Sequence, residues 1–273
     1  MHCSSIKEKT WNTVRLLSDN DMIKDFILVG GTALALHINH RLSEDVDLFT
    51  EKKYIDNDKL KNFVKKIFTD YRVLDEYENY IEFLANDTKL TFYSFGMPIE
   101  RESLINNLNI ATKNECIAMK AHTITMRTSY KDYYDLYSII QDGSSLSEII
   151  RLTEEKYKTY FNTKLFLERL LKDIAEDTLE NPKYKVSSDD LKEFMVDKIE
   201  NYVLYLEKNM KFQKYAGAYR KDGLDAAVAE MKRDKVADSV IKFHYKEIFP
   251  DKTLTEVEKA IKAAEKDKGM ERR

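Results

Sequence analysis

The sequence has few cysteines, the residues that form the disulfides of secreted proteins and bind the metal in many metal sites. Its two cysteines, Cys3 and Cys116, fit neither a disulfide framework nor a cysteine metal site. No run of about 18 apolar residues could span a membrane, and the N-terminus has no apolar signal core. These absences predict a cytoplasmic protein that does not associate with a membrane.

The charge of the chain is also close to balanced. It carries 45 Lys and Arg residues against 48 Asp and Glu residues, for a formal net charge of -3. A protein that coats DNA is usually basic, so this balance disfavours that role but leaves room for a local basic face. Hydrophobic residues make up 43% and charged residues 34%, which is typical of a soluble, helix-rich globular protein.

Hydrophobic patterns divide the chain into two parts. Residues 5–25 fit an amphipathic helix, and residues 26–95 follow the order strand, helix, strand, helix, strand, strand, strand. After Pro98 nearly all of the patterns are helical. The predicted fold class is therefore α+β. An α/β head with a small mixed β-sheet would span residues 1–98, and an α-helical domain would span residues 99–273.

Two carboxylates lie on the second predicted strand. Asp45 and Asp47 are two positions apart and therefore point to the same side of that strand. Their repulsion needs a compensating charge, and Mg²⁺ is often held by one or two carboxylates together with substrate phosphates. Most Asp-x-Asp pairs are solvated edges or turns. The apolar neighbours Val46 and Leu48 place this pair on a core strand, which favours a metal site.

Two glycines precede these acids at a predicted strand-to-helix junction. Gly30 and Gly31 let the backbone approach a ligand closely, and amides at the start of the next helix can bind phosphate. Thr32 adds a hydroxyl and is the predicted N-cap of a helix over Ala33–Ile38. A tight turn with a helix cap explains the same residues without a ligand. Neither a Walker loop nor a complete dinucleotide fingerprint is present.

A second block of ionisable residues spans residues 115–137, with the sequence ECIAMKAHTITMRTSYKDYYDLY. Lys120 could neutralise nucleotide phosphates as a point charge. Asp132 and Asp135 share one face of a helix and could orient Lys120 or Arg127, or approach the nucleotide. Taken alone, this block is better explained by an amphipathic helix with surface ion pairs; the first block shifts the balance toward a site.

Together the two blocks resemble the AbiEii/AbiGii toxin family, which includes the MenT toxins and belongs to the DNA polymerase beta-type nucleotidyltransferase superfamily. The first match is a glycine-threonine start, Gly30-Gly31-Thr32-Ala33-Leu34. The second is an arginine-serine-acid motif, His40-Arg41-x-Ser43-x-Asp45-x-Asp47-Leu48-Phe49. The third is a downstream lysine-arginine-acid motif made of Lys120, Arg127, Lys131-Asp132 and Asp135. The resemblance covers about residues 26–140 and implies a nucleotidyltransferase fold.

The resemblance implies metal-dependent transfer of a nucleoside monophosphate from an NTP to an acceptor hydroxyl. Asp45 and Asp47 would hold Mg²⁺ or Mn²⁺ and would be catalytic together with Lys120, Asp132 and Asp135. The implied nucleotide-binding residues come from both blocks: Gly30, Gly31, Thr32, Arg41, Ser43, Lys120 and Arg127.

The resemblance also implies macromolecular partners. The acceptor would be a tRNA 3′ end or a protein side chain, and the chain would be the toxin of a toxin–antitoxin or phage-exclusion system with a cognate antitoxin. Interleaved basic and aromatic residues in the helical part could contact phosphates and stack on bases: Lys208, Lys211, Phe212, Lys214, Tyr215, Tyr219, Arg220 and Lys221. A solvated helix face with core aromatics explains the same pattern.

One feature of the superfamily is missing. Many members add a third carboxylate from a later antiparallel strand, but the candidate strand Lys89–Tyr93 has no acid, and Glu82 and Asp87 are the nearest. The base for the acceptor hydroxyl could then be Asp47, a water molecule or no group at all. Two alternatives therefore stay open. The chain could bind NTP without catalysis, or it could be an interaction protein that works through its helical part.

Overall fold

The computed structural model describes residues 2–270, except for the side chains of Phe243 and residues 265–270. Seven strands are found there: β1 (Ile27–Val29), β2 (Val46–Thr50), β3 (Tyr71–Tyr77), β4 (Tyr80–Ala85), β5 (Thr88–Ser94), β6 (Arg101–Ile105) and β7 (Leu108–Ala111). They form one sheet in the order β3-β4-β5-β2-β1-β7-β6. β1 is parallel to β7 and β2 is parallel to β5, while the other neighbours are antiparallel. The sheet is therefore mixed, as predicted.

Ten α-helices lie within the described residues: α1 (Glu8–Ser18), α2 (Gly30–Ile38), α3 (Asn57–Ile67), α4 (Lys113–Met126), α5 (Tyr130–Gln141), α6 (Leu146–Tyr157), α7 (Thr163–Leu170), α8 (Ser188–Arg233), α9 (Asp238–Ile248) and α10 (Leu254–Met270). Several of them begin at side-chain caps; for example, the hydroxyls of Thr112 and Ser145 accept the backbone N–H groups of Glu115 and Glu148. None of the described helices has the length and apolar character that crossing a membrane requires.

Strand β2 shows how the sequence separates core from site. Val46 and Leu48 are completely buried on one face of the sheet. Asp47 and Phe49 alternate with them and are only half-buried, so they lie on the opposite face. The same period of two operates along β5, where Leu90 is completely buried. The apolar neighbours of the acid pair thus fix which face carries its charge.

The predicted loss of β structure after Pro98 is wrong. Strands β6 and β7 follow that residue and form an antiparallel hairpin, and β7 then adds to the sheet as a parallel neighbour of β1. The predicted helix over residues 5–25 is also shorter than expected. Helix α1 ends at Ser18, because Asn20 is extended, and a short 3-10 helix at Asp21–Asp25 follows.

The chain divides into two compact units, Met1–Ile199 and Glu200–Arg273. The predicted division at residue 98 does not coincide with them, since the sheet continues to Ala111. The described part of the second unit has its own core, which includes the buried residues Tyr215 and Phe249. The last residues of the predicted helical domain, 271–273, lie outside the described part of the chain.

Candidate active site

Asp47 lies at the centre of the sheet, where β1 ends and α2 begins. It pairs with Val29 of β1 on one side and with Thr91 of β5 on the other. Gly30, the first residue of α2, has a φ of 70°, a conformation that side chains disfavour. A Cβ atom at Gly30 would also overlap the Asp47 carboxylate. The glycine is therefore required both by the turn and by the closeness of this acid.

Gly31 makes room for a second charged group. A Cβ atom there would lie 2.5 Å from a terminal guanidinium nitrogen of Arg41. The first amides of α2 have no partner within the helix, and Gly30 and Gly31 both line the cavity that contains Asp47. The glycine pair thus brings an acid, a guanidinium and free amides to one place, which is compatible with the predicted phosphate site.

Thr32 is not the N-cap that the sequence predicted. Helix α2 already begins at Gly30, and Val29 occupies the cap position without a side-chain hydrogen bond. The buried Thr32 hydroxyl instead donates to the backbone carbonyl of Asp45 and lies 2.9 Å from Ser43 Oγ. Thr32 and Ser43 therefore fasten the loop before β2 to α2, and this holds Asp45 in place.

Asp47 on β2 and Asp45, which directly precedes that strand, have no compensating cation. No described side chain forms a salt bridge with Asp45 or Asp47, since Lys89 pairs with Glu82 at 2.8 Å. Burial, and then the charge of Asp45, raise the pKa of Asp47 to about 6. Burial also raises the pKa of Asp45. Two nearby carboxylates without a cationic partner are a donor set that a hard divalent cation fits, although the described residues contain no cluster of three potential metal ligands.

Lys120 lies in a buried cluster beside the acid pair. Its Nζ is 2.8 Å from Asp132 Oδ1 and 2.8 Å from Asp135 Oδ2. Burial opposes the charged form of Lys120, but Asp135 and Asp132 outweigh it and raise its pKa above the ordinary value. The two acids of α5 thus share one helix face, as predicted, and both orient Lys120.

Asp135 is the most buried member of this cluster. Arg41 Nε lies 2.7 Å from its Oδ1, Arg41 Nη2 lies 3.1 Å from its Oδ2, and His40 Nε2 lies 2.7 Å from its Oδ1. Burial works against ionisation, yet Arg41 and Lys120 hold the pKa of Asp135 well below its ordinary range. The Arg41 guanidinium is therefore committed to Asp135, and His40 is a buried structural residue.

The cluster carries more positive than negative charge. Arg127 Nε donates to Asp132 Oδ2 at 2.8 Å, so three cations, Lys120, Arg41 and Arg127, face two carboxylates. Arg127 differs from the other two because 67% of its side chain is exposed, against 10% for Lys120 and for Arg41. One positive charge is thus left over, and the exposed guanidinium can reach a ligand.

Two cavities meet at the acid pair, one of about 590 Å³ and one of about 520 Å³. Five residues line both: Gly31, Asp45, Asp47, Lys120 and Arg127. Gly30 lines only the larger cavity, while Thr32, Arg41, Ser43 and Asp132 line only the smaller. Asp135 is the one predicted site residue that lines neither, because it is completely buried behind Lys120. The structure therefore gathers the two distant sequence blocks at one place.

Glu82 is the acid nearest to the missing third carboxylate. Thr91 occupies the position beside Asp47 on β5, and Glu82 pairs with Thr91 from β4. Glu82 also accepts a hydrogen bond of 2.8 Å from Tyr80 and lines the larger cavity. Asp87 is exposed in the hairpin turn and lines neither cavity. The strand register needed to choose between the two acids is not visible in the sequence.

Sequence reasoning missed the aromatic end of the larger cavity. Phe49 pairs with Tyr93 across β2 and β5, and their ring centroids are 5.0 Å apart. Tyr157 and His122 join them from α6 and α4. The alternation of side chains along β2 could have revealed Phe49, because this residue follows Asp47 by two positions and must lie on the same face of the strand.

Comparison with known proteins gives three findings. A family model described as nucleotidyl transferase AbiEii toxin, type IV TA system, matches residues 14–208. An uncharacterised protein of Aquifex aeolicus (strain VF5) is 33% identical over 139 residues, which are 49% of this chain and 67% of that protein. MenT4, a nucleotidyltransferase toxin from Mycobacterium tuberculosis H37Rv, superimposes with a TM-score of 0.44 and 14% identity over 71% of this chain and 86% of MenT4.

Proposed function

Because this chain belongs to the nucleotidyl transferase AbiEii toxin family, we propose that it transfers a nucleoside monophosphate from an NTP to the 3′ end of tRNA with the help of Mg²⁺ or Mn²⁺. The family itself, and the class of nucleotidyltransferase enzymes, were predicted from the two sequence blocks and are confirmed by the match. The observation that carries the proposal is an acid pair without a cation, located beside a buried lysine cluster with excess positive charge.

Asp45 and Asp47 are the residues that would hold the metal ion. Both acids line the two cavities that meet there, and no described salt bridge neutralises them. A divalent ion bound there would neutralise the charge that develops on the reacting phosphate oxygens. The closeness of Gly30 to Asp47 and the bond from Thr32 to the Asp45 carbonyl fix both acids before any ligand binds.

The triphosphate would bind where the two cavities meet. Lys120 and Arg127 supply positive charge there, and the free amides of α2 next to Gly31 supply hydrogen-bond donors. Asp132 and Asp135 act through Lys120, because they keep its ammonium group charged and fix its position. Arg41 acts indirectly, because it holds Asp135, which in turn positions Lys120.

The reaction we propose is an in-line displacement. The acceptor hydroxyl oxygen forms a bond to the α-phosphorus, the bond from that phosphorus to the bridging oxygen breaks, and pyrophosphate leaves. Glu82 would take the proton of the hydroxyl. It lies on the same face as Asp47, two strands and so roughly 10 Å away in backbone position. Glu82 would thus replace the acid that is missing at Thr91.

Exposed basic side chains of the second unit are the proposed contacts with tRNA. The side chains of Lys208, Lys211 and Arg220 are exposed and would meet phosphates. Tyr215 does not take part in base stacking as the sequence predicted, because it is buried in the core of this unit and its hydroxyl donates to Asp234. The acceptor interaction we propose is therefore mainly electrostatic.

The family implies an NTP substrate and an antitoxin partner. We propose that the chain is the toxin of a toxin–antitoxin or phage-exclusion pair, that it acts in the cytoplasm, where NTPs and tRNA are found, and that its antitoxin is encoded by a neighbouring gene. Modification of tRNA 3′ ends would account for toxicity, since a blocked end cannot be aminoacylated.

A second candidate function is NTP binding without transfer. The observation that favours it is the hydroxyl of Thr91 at the position beside Asp47, where an acid would complete the catalytic set. The two functions differ in turnover but not in nucleotide affinity. A protein of the second kind would bind NTP and release it unchanged with every acceptor offered.

The test is transfer of label from NTP. The protein is incubated with NTPs labelled on the α-phosphate, Mg²⁺ and total tRNA, beside the double variant Asp45→Asn/Asp47→Asn. We expect label in tRNA from the wild type and none from the variant. Nucleotide binding by the wild type without label in tRNA or protein would contradict the proposal and support the second candidate.

A further inference from the structure

The larger cavity has two chemically different ends. At one end lie Asp47 and Lys120, which are charged, and at the other lie the rings of Phe49 and Tyr93. Phe49 is two residues beyond Asp47 on the same strand, so the rings begin about 7 Å from the acid along the sheet. A ligand that spans this cavity would meet charged side chains at one end and flat apolar rings at the other.

The aromatic end is a continuous surface. The ring of Phe49 lies 5.0 Å from Tyr93 and 5.7 Å from Phe95, centroid to centroid. Phe95 then contacts Tyr157 at 6.3 Å. Phe49, Tyr93 and Phe95 are all half-buried, so their rings are packed but still present a face to the cavity.

Tyr157 is extended by a second flat ring. His122 of α4 stacks on it with centroids 3.9 Å apart and an interplanar angle of 12°. Burial lowers the pKa of His122, which favours the uncharged form of its flat imidazole ring. Both rings line the same cavity as the acid pair. Because the two rings lie face to face, they form a two-ring stack at this end of the cavity.

We propose that the nucleobase of the NTP binds in this aromatic end, beside the stacked rings of His122 and Tyr157 and the row of Phe49 and Tyr93. This assignment rests on the proposed function, because it takes the acid pair as the site of the α-phosphate. The cavity volume of about 590 Å³ lies within the range of roughly 300 to 1,000 Å³ typical of small-molecule sites.

Stacking rather than hydrogen bonding then supplies most of the affinity for the base. The rings offer π faces, and every nucleobase has a π face of its own. We therefore expect NTPs with different bases to bind within about one order of magnitude of one another. Loss of one ring should weaken NTP binding by roughly tenfold to a hundredfold. The affinity for a ligand without a base should stay unchanged.

The experiment compares NTPs with inorganic tripolyphosphate. Calorimetry in the presence of Mg²⁺ gives the Kd of each ligand for the wild type and for Tyr157→Leu and Phe49→Leu, which keep apolar bulk but lose the ring. Tyr160→Leu is the matched control, because Tyr160 is 79% exposed and lines no part of this cavity. Far-ultraviolet circular dichroism and thermal melting establish that each variant is folded.

We expect the NTP Kd to rise at least tenfold in both cavity variants, with the tripolyphosphate Kd unchanged and the control like the wild type. An unchanged NTP Kd in both variants, with normal turnover, would overturn the base site and leave the proposed function standing. The same holds if only the KM for tRNA rises, since the rings would then hold a base of the acceptor. A wild type that binds no NTP would overturn both claims.

Discussion

The carboxylate of Asp47 occupies the space into which a side chain at Gly30 would project. This contact joins the Gly30-Gly31 turn to the acid pair of Asp45 and Asp47 in three dimensions. The turn into α2 and the acid of β2 can coexist only because residue 30 is glycine, and the first amides of α2 are thereby placed beside the acid pair. Nucleotide phosphate and metal ion would meet at this contact.

Gly30→Ala should remove transfer activity. The new methyl group displaces the Asp47 carboxylate, and the φ of 70° adds strain of about 1 kcal/mol or more. We expect activity to fall below detection and the midpoint of urea unfolding to decrease. Gly96→Ala is the control, because Gly96 has the same φ of 70° but nothing within 4 Å of its Cβ. Equal activity in the two variants would contradict the steric explanation.

Asp47→Asn should stabilise the metal-free protein while abolishing transfer. The pKa of Asp47 is raised to about 6, so the folded state binds a proton more tightly than the unfolded state and the charged acid costs stability at pH 7. The variant should gain roughly 1 to 3 kcal/mol in unfolding free energy at pH 7. For the same reason, this acid should contribute a gain in wild-type stability as the pH falls from 7 to 5.

Urea titrations with EDTA at pH 7 and pH 5 measure this effect. Asp87→Asn is the control, since Asp87 is exposed in the hairpin turn. A loss of stability in Asp47→Asn at pH 7 would show that Asp47 is balanced by a partner within the protein and is not waiting for a cation.

Asp135→Asn should have the opposite effect on stability. The pKa of Asp135 is held well below its ordinary value, so its contribution is present above about pH 4 and is lost as the pH falls further. We expect the variant to lose about 3 to 5 kcal/mol at pH 7, because Arg41 and Lys120 lose a buried partner. The gap between wild type and variant should narrow in urea titrations near pH 3, and a gap that stays constant would argue against the linkage.

Glu82→Gln should slow the transfer step without weakening nucleotide binding. If Glu82 takes the hydroxyl proton, kcat should fall by roughly a hundredfold while the Kd for NTP stays unchanged. Asp87→Asn again serves as the control. A variant with a normal kcat would mean that Glu82 only anchors Lys89 and Tyr80.

Charge reversal at Lys208, Lys211 and Arg220 should weaken tRNA binding alone. Removing three phosphate contacts lowers affinity and makes it less sensitive to salt. We expect the KM for tRNA to rise at least tenfold, with a shallower dependence on salt and an unchanged NTP Kd. The control is a charge-matched triple reversal at exposed lysines of the first unit: Lys53, Lys65 and Lys66. An equal rise in the KM for tRNA in the two triple variants would mean that tRNA binding depends only on the net charge of the protein.

Local periodicity predicted much of the first unit correctly. The alternation around Asp45 and Asp47 identified β2, and Asn86-Asp87 identified the hairpin turn between β4 and β5. These features depend on neighbouring residues, so a single sequence contains them. The glycine pair was located for the same reason, but the steric need for Gly30 depends on Asp47 from another strand and becomes visible only in three dimensions.

Long-range pairing accounts for what the sequence did not predict. Strand β7 joins β1 across some 80 residues of chain, so the end of the sheet was placed too early. The partner of Thr32 is a backbone carbonyl, which no residue pattern records. Glu82 and the aromatic end depend on the register between β4, β5 and β2. The catalytic and binding roles assigned to individual residues stay predictions until they are measured.

Mass analysis of tRNA 3′ ends after expression in a host cell tests the central claim most directly. Cells that express the wild type should contain tRNAs longer by one or more nucleotides, and cells that express Asp45→Asn/Asp47→Asn should not. The added mass identifies the NTP and the modified tRNAs identify the acceptor. Unmodified tRNA ends in cells that the wild type poisons, or toxicity that survives the double variant, would contradict the account.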